Sequence, residues 1–271
     1  MAGYFGGGSM IRRVHRERAL ALYGPRALLM QAAHPLAVEG LLAHSDGLED
    51  PYERLARTAR VMDEITFGER ERADRITRRV RAMHARVSGE LSEDVGAYPV
   101  GTPYRADDPE LLLWVLFTLF DSAAVVYRAY VGSIARADEA RLWDDYRVVG
   151  GLFGLQPGQM PETLAEVDSY RRRMLEGDRL HVNGWARERA REIVFEPPAP
   201  LLARPLVEAA NLITIALLPE RIRREYRFAS VPPQPVRGLL VAGGAEYVKR
   251  AVLPLLPGRL RFSSVARAAA A

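Results

Sequence analysis

The sequence predicts an all-α fold, organised as a single multi-helix globular domain, and three observations support this. Apolar residues recur at intervals of three to four from Met10 to the last proline-rich segment, which is the period of an α-helix. No run alternates apolar and polar residues for long enough to predict a β-sheet. A chain of 271 residues with 48% hydrophobic content can also bury a full core.

Two kinds of boundary define this domain. Residues 1–9 are rich in glycine and are expected to form a flexible N-terminal tail, which leaves residues 10–271 for the helical domain. Proline-rich segments at 197–200 and 231–235 are the strongest internal breaks. We expect both to cross the surface of one domain, because the piece after Pro200 is short and apolar.

Caps and breaks predict the helices of the N-terminal third. Ser9 can serve as an N-cap, and Gly24-Pro25 is expected to end the first helix. Pro35 is a candidate kink in the second helix. Asp50-Pro51 places a capping residue before a proline at the first helical position, which is typical of a helix start. The predicted helices are 9–23, one that begins after Pro25 and carries apolar residues as far as Leu42, 51–67 and 69–88.

The most apolar helix is expected at 110–130, after a loop over residues 89–107, and Asp108-Pro109 supplies its cap. It should lie at the centre of the fold. Asp121 and Ser122 interrupt its apolar run, so no transmembrane segment is predicted. Further helices are predicted at 136–149, 163–175, 181–192, 201–217, 221–226 and 236–256.

Charge restricts the partners and the location of the protein. The net charge of +4 comes from arginine, since Lys249 is the sole lysine, and acidic residues are interleaved with the arginines on most helices. This diffuse excess argues against nucleic-acid binding. The Arg12-Arg13 pair is not followed by the apolar run of an export signal, so a cytoplasmic location is expected.

The absence of cysteine excludes disulfides and thiolate ligands. Histidine is therefore the strongest ligand that the chain can offer a transition metal. Five histidines are available, and they are His15, His34, His44, His84 and His181.

One of these histidines lies opposite a helix face that is rich in arginine. Arg54, Arg57 and Thr58 stand at i, i+3 and i+4 and share one face of the third helix. On the fourth helix His84 follows Arg81 by one turn. A guanidinium-rich wall opposite a lone imidazole suits an anionic, metal-containing cofactor, such as haem with its propionates. The same spacing also suits ordinary surface arginines and a histidine hydrogen-bonded between helices. The apolar residues beside His84 are Val80, Met83 and Val87.

The other histidines have plainer interpretations. Pro35 frees the carbonyl of Gln31, which the imidazole of His34 can satisfy, so a structural role is as good an interpretation as a functional one. His44 is expected at a helix end, His181 near a helix N-terminus, and His15 in solvent, because arginines surround it.

Several short motifs follow one another over roughly residues 22–175. They are Gly24-Pro25, Gln31-Ala-Ala-His34-Pro35, His44-Ser45, Asp50-Pro51, Arg54-x-x-Arg57-Thr58, Phe67-Gly68, His84-x-x-Val87-x-Gly89 and Trp114-Val115-x-x-Thr118-Leu119-x-Asp121-Ser122. Their order and spacing resemble the MpaB-type oxygenase family, which includes the latex-clearing rubber oxygenases. The resemblance implies an all-α protein that encloses a haem-type pocket, holds haem b and cleaves isoprenoid double bonds with dioxygen.

The resemblance also implies roles for individual residues. His84 would be the proximal iron ligand, and Arg81 the arginine that accompanies it. Arg54, Arg57 and Thr58 would form the distal trio. Arg57 and Thr58 would donate hydrogen bonds to dioxygen, or else Arg54 and Arg81 would pair with the propionates. The pocket glutamate that acts as a base would be Glu39.

The chain departs from the family at two positions. Rubber oxygenases carry lysine in place of Arg57, and a guanidinium cannot release a proton as an amine can. Many relatives have a histidine in the tryptophan helix, where this chain has Trp114-Val115-Leu116-Phe117.

The predicted function is that of a haem b-dependent, oxygenase-like oxidoreductase that acts on a small apolar substrate, isoprenoid or lipid-like, with dioxygen. Two alternatives remain open. One is a non-catalytic helical haem- or lipid-binding protein, which the two departures favour. The other is a peripheral membrane protein, which the arginine-rich amphipathic helices favour and their mixed charges disfavour. The expected apolar substrate wall consists of Leu28, Trp114, Phe117 and Phe120.

Overall fold

The computed structural model describes residues 3–42, 51–195, 202 and 204–270, and it confirms the all-α prediction. The only strands in this described part are two segments of three residues each. The helices of the first half are α1 (Met10–His15), α2 (Tyr23–Gln31), α3 (Pro35–Leu42), α4 (Pro51–Phe67), α5 (Arg70–His84) and α6 (Pro109–Tyr130). Those of the second half are α7 (Arg136–Leu152), α8 (Leu164–Glu176), α9 (Gly184–Phe195), α10 (Arg204–Ala216), α11 (Glu220–Glu225), α12 (Gln234–Gly238), α13 (Ala245–Tyr247), α14 (Gly258–Arg261) and α15 (Ser264–Ala268).

Two of the three proline positions of the N-terminal third differ from the prediction. Pro25 does not end a helix but lies in the first turn of α2, where a backbone N–H is not needed. Gly24 beside it makes room for α4, since a Cβ at this position would stand 2.8 Å from Leu55 Cδ1. Pro35 is not a kink but the first residue of α3.

The predicted loop at 89–107 contains a small antiparallel hairpin formed by β1 (Ser88–Glu90) and β2 (Pro103–Arg105). Ser88 pairs with Arg105, and Gly89 with Tyr104. Strands of three residues are too short to show an alternating pattern, which explains why the sequence did not predict them.

The central position predicted for the apolar helix is confirmed. Asp108 caps α6 by accepting hydrogen bonds from the backbone N–H groups of Glu110 and Leu111. Helix α6 packs against α2 and α7, and Trp114 and Phe117 are fully buried. By length and composition α6 could cross a membrane, but 72% of its most apolar window is buried inside the fold.

A buried polar cluster fixes α2 to α6. The guanidinium of Arg26, only 1% exposed, lies 2.8 Å from Asp121 Oδ2 and donates to Ser122 Oγ at 2.7 Å. It also donates to the carbonyl of Leu217, just beyond α10, at 2.9 Å. The other oxygen of Asp121 pairs with Arg171 of α8. One side chain of α2 is therefore bonded directly to α6 and to the end of α10, and through Asp121 to α8.

The expectation that His15 lies in solvent is wrong. Its imidazole is buried, with Nε2 2.9 Å from the hydroxyl oxygen of Tyr146. His15 shares the buried face of α1 with Ile11 and Val14, whereas Arg13 and Arg16 are exposed. The i, i+4 pair of Ile11 and His15 was the sequence signal for burial.

Burial of His15 predicts a stability that depends on pH. Burial lowers its pKa to about 4 from an ordinary value of 6.5, so the fold favours the neutral imidazole. The resulting stability is present above pH 6.5 and is lost as the pH falls towards 4, because the unfolded chain then binds the additional proton. We expect His15→Gln to reduce the acid-induced loss in the free energy of unfolding by about 2–3 kcal/mol.

Urea unfolding of the wild type and the variant at neutral pH and at pH near 4.5 would measure this difference. His181→Gln is the matched control, because the side chain of His181 is 43% exposed. An equal pH dependence in wild type and His15→Gln would contradict the prediction.

The domain boundary at residue 10 and the flexibility of residues 1–9 stay predictions. In the structure Phe5 is buried, and its carbonyl accepts a hydrogen bond from the guanidinium of Arg12. The hydroxyl of Tyr4 donates to Asp74 of α5. The proline-rich segment at 197–200 lies outside the described residues.

Candidate functional site

Helices α4 and α5 form a hairpin that carries most of the predicted site residues. They are joined at Gly68-Glu69, and an ion pair of 2.8 Å between Glu64 and Arg72 holds them together close to this turn. Because both helices run away from the same turn, Arg57 on α4 and Arg81 on α5 stand at the same end of the hairpin. We call this the open end of the hairpin.

The open end is accessible. Arg57 and Thr58 are exposed on α4, and Arg81 and Met83 are exposed on α5. Of the three apolar residues predicted beside His84, Val80 is half-buried and Val87 is buried, but Met83 is exposed. The predicted apolar surroundings of His84 are therefore only partly formed. Arg54 belongs to α4, but its side chain lies outside the described residues, as does His44.

His84 is the last residue of α5 and is half-buried. One turn earlier, the guanidinium of Arg81 passes over Gly154, where a Cβ would stand 3.4 Å from Nε. Gly154 also has a φ of +105°, a conformation that L residues rarely adopt, so glycine is required there. Arg81 is thus positioned by the end of α7, beside the histidine.

Glu39 lies on α3, next to the β-hairpin of β1 and β2, which follows His84 in the chain. A Cβ at Gly40 would contact Val87 at 3.5 Å and the ring of Tyr104 at 3.8 Å, so this turn of α3 lies directly on the segment after α5. Burial raises the pKa of Glu39, and the carboxylate of Glu93 raises it further. Glu39 is therefore a stronger base than an exposed glutamate.

A neighbouring cleft lies beside the loop before α6. Arg105 donates two hydrogen bonds of 2.9 Å to Asp107 in this loop, and they lower the pKa of Asp107. Asp108, the next residue, lines a cleft of about 270 Å³. The remaining lining residues are His34, Leu36, Ala97, Tyr98, Pro103, Tyr104, Arg105, Glu110, Leu111, Asp178 and Arg179.

His34 is the second imidazole of this region, and it is buried. Its Nε2 stands 3.4 Å from the hydroxyl oxygen of Tyr98, and its Nδ1 has no hydrogen-bond partner in the described part of the chain. Burial lowers the pKa of His34 to about 4, and the cation of Arg179 lowers it further. The side chain is therefore neutral near pH 7. The carbonyl of Gln31 accepts the backbone N–H of His34, so the imidazole is not needed to satisfy it.

The aromatic residues expected to form a substrate wall belong instead to the hydrophobic core. Trp114 stacks on Phe117 with ring centroids 5.8 Å apart, and Phe117 packs edge-on against Tyr170 at 5.3 Å. Phe120 packs edge-on against Trp143 at 5.0 Å. None of them is among the residues that line the described cleft.

The chain matches a known family over most of its length. The family model described as "ER-bound oxygenase mpaB/B'/Rubber oxygenase, catalytic domain" matches residues 12–250. The chain belongs to this family. Its members are described as an oxygenase catalytic domain, which makes the protein oxygenase-like and implies a metal or haem cofactor. No curated protein and no solved structure matches the chain.

The donor set of this MpaB-type protein fits a porphyrin. Among the residues that the structure describes, no group of three histidine, aspartate or glutamate side chains stands together as a metal site. A porphyrin supplies the in-plane ligands of its iron and needs one imidazole from the protein, which His84 or His34 can offer. Arginines such as Arg81 suit the propionates, since guanidinium groups pair with carboxylates in a planar fork.

Sequence reasoning missed the cleft residues Tyr98, Tyr104 and Arg179. The two tyrosines were visible only as members of a loop, and Arg179 as one arginine among many. The available signal was the concentration of aromatic and proline residues in the loop between the motifs at His84 and Trp114.

Proposed function

We propose that the protein is a haem b-dependent oxygenase that acts on a small apolar substrate, isoprenoid or lipid-like, with dioxygen. The observation that carries the proposal is the placement of His84 and Arg81 on the last turn of α5, at the open end of the hairpin that also carries Arg57 and Thr58. Membership in an oxygenase family supports the same conclusion.

Bound haem would supply the redox chemistry that activates dioxygen, and the chain's own residues would bind, orient and protonate. His84 would hold the haem iron through an imidazole nitrogen. Arg81, positioned over Gly154, would pair with a propionate. Arg57 and Thr58 would donate hydrogen bonds towards the substrate side of the pocket.

Glu39 would act as the base of the reaction. Its raised pKa favours proton uptake at the carboxylate, and its neighbour Tyr104 lines the cleft. Ligand pockets usually measure about 300–1,000 Å³. The cleft of about 270 Å³ lies just below this range, so any substrate that it accepts would be small.

The test is a visible spectrum followed by oxygen uptake. Purified protein supplied with haem should show a Soret band and should consume dioxygen with a small unsaturated isoprenoid alcohol such as geraniol. The matched saturated alcohol should cause no consumption, because it has no double bond to cleave. Spectral shifts with both alcohols and no oxygen uptake would contradict the proposal.

One observation favours the second candidate, a non-catalytic haem- or lipid-binding protein. Leu116 stands in the helix where many relatives carry a histidine, and it is buried. Its Cδ2 lies 2.7 Å from the position of a Cβ at Gly150, so core packing occupies this space. The oxygen-uptake experiment distinguishes the two candidates.

A further inference from the structure

The C-terminal helical run exposes large apolar side chains to solvent. It extends over residues 234–255 as α12, a π-helical segment Leu239–Gly244, α13, a second π-helical segment Val248–Val252 and a 3₁₀ turn Leu253–Leu255. Leu239 is 68% exposed, Tyr247 66% and Leu255 84%. Among the exposed large hydrophobic residues of the described part, only Leu202 has a higher exposed fraction, 99%.

The exposed apolar residues share one face of the run. Val236 and Leu239 stand at i and i+3, and Tyr247 follows Leu239 by eight residues, about two turns of this mixed π- and α-helical stretch. Ala245, on the opposite face, is 1% exposed and belongs to the core. The run contacts α6 and α10, so its inner face is already occupied. We call Val236, Leu239 and Tyr247 the outer face of the run.

Basic side chains predominate in the C-terminal segment that carries the outer face, where Glu246 pairs with Lys249 and Arg250. From residue 234 to the end, the chain has six basic side chains and a single acidic one, Glu246, whereas its net charge as a whole is only +4. The net positive charge of the protein is therefore concentrated in this segment. The basic residues are Arg237, Lys249, Arg250, Arg259, Arg261 and Arg267.

We propose that the outer face docks on an anionic lipid surface, with Leu239 and Tyr247 inserted at the headgroup boundary and the basic side chains among the headgroups. An apolar helix face flanked by lysine and arginine is typical of interfacial helices, and anionic headgroups complement its charge. A second copy of the chain fits less well, because a two-fold interface would place the same cationic segments against each other.

The proposal is tested by co-sedimentation of the full-length protein with vesicles. One set contains phosphatidylcholine alone and the other roughly one-third phosphatidylglycerol. The wild type should bind the anionic vesicles about tenfold more than the neutral ones, and added salt should weaken this binding. Leu239→Glu/Tyr247→Glu should reduce binding to the anionic vesicles about tenfold.

The matched control is Val100→Glu/Val148→Glu, which adds the same two carboxylates. Val100 and Val148 are exposed apolar residues outside the C-terminal run. This control should bind within about twofold of the wild type. An equal loss of vesicle binding in both double variants would overturn the proposal. Failure of the wild type to bind anionic vesicles would overturn it as well. A dimer that only Leu239→Glu/Tyr247→Glu dissociates, without vesicle binding, would identify a second copy as the occupant instead.

Discussion

Asp121→Ala is expected to lower the free energy of unfolding by about 3–5 kcal/mol, because it leaves the buried guanidinium of Arg26 without its counter-ion. Burial lowers the pKa of Arg26, but an arginine keeps its charge even so. The remaining partners, Ser122 and the carbonyl of Leu217, are neutral. Thermal unfolding should show a fall in midpoint on the order of 10 °C.

The exposed ion pair between Arg136 and Asp168 provides the matched control. Both side chains of this pair reach solvent, so Asp168→Ala should cost less than about 1 kcal/mol. The double variant Arg26→Met/Asp121→Leu should recover much of the stability lost in Asp121→Ala, since an apolar pair leaves no charge buried. Similar losses in Asp121→Ala and Asp168→Ala would show that the buried cluster is not what holds α2 to α6.

The sequence predicted the helices with strong local signals and missed the features that depend on tertiary contacts. Asp108-Pro109 marks the start of α6 because capping acts within one turn of the chain. The position of Pro25 inside α2 could not be read locally, since the same dipeptide Gly24-Pro25 is compatible with a break and with a first turn. In the structure Leu55 of α4, which is distant in sequence, lies against Gly24 in the first turn of α2.

The polar residues of the motifs also have roles that depend on tertiary contacts and could not be predicted from the sequence. Asp121 and Ser122 belong to a motif that predicted the family, yet in the structure they bond Arg26 and so hold α2 against α6. Gln31 and Thr118 are similar, because Gln31 Nε2 donates to Thr118 Oγ1 at 3.0 Å. A motif therefore identifies the family without distinguishing residues that hold the fold from residues that touch a ligand.

The relative positions of some candidate site residues could be predicted, because helix spacing determines them. One turn separates Arg81 from His84, and the shared turn at Gly68 brings Arg57 to the same end of the hairpin. Glu39 lies near Tyr104 because α3 packs on the β-hairpin. No local sequence pattern encodes this packing. The roles of Arg57, Thr58, Glu39, Arg81 and His84 towards a cofactor stay predictions.

His84→Ala is expected to abolish the Soret band of protein supplied with haem, because the variant has no axial nitrogen at the open end of the hairpin. The measurement is an absorption spectrum taken alongside circular dichroism, which shows whether the helices are intact. Free imidazole added to the variant should restore the band, since it can occupy the space that the side chain leaves. This rescue separates loss of a ligand from loss of the fold.

His34→Ala is the informative comparison, because the buried imidazole of His34 is neutral near pH 7 and lines the cleft, and its Nδ1 lacks a partner in the described part of the chain. If His84 is the ligand, His34→Ala keeps the Soret band, and its effect is confined to stability and to the cleft. Loss of the band in His34→Ala together with its retention in His84→Ala would transfer the ligand assignment to His34, just before α3. In that case the arginines of the hairpin would be surface residues, and the cleft beside Tyr98 would be the cofactor pocket.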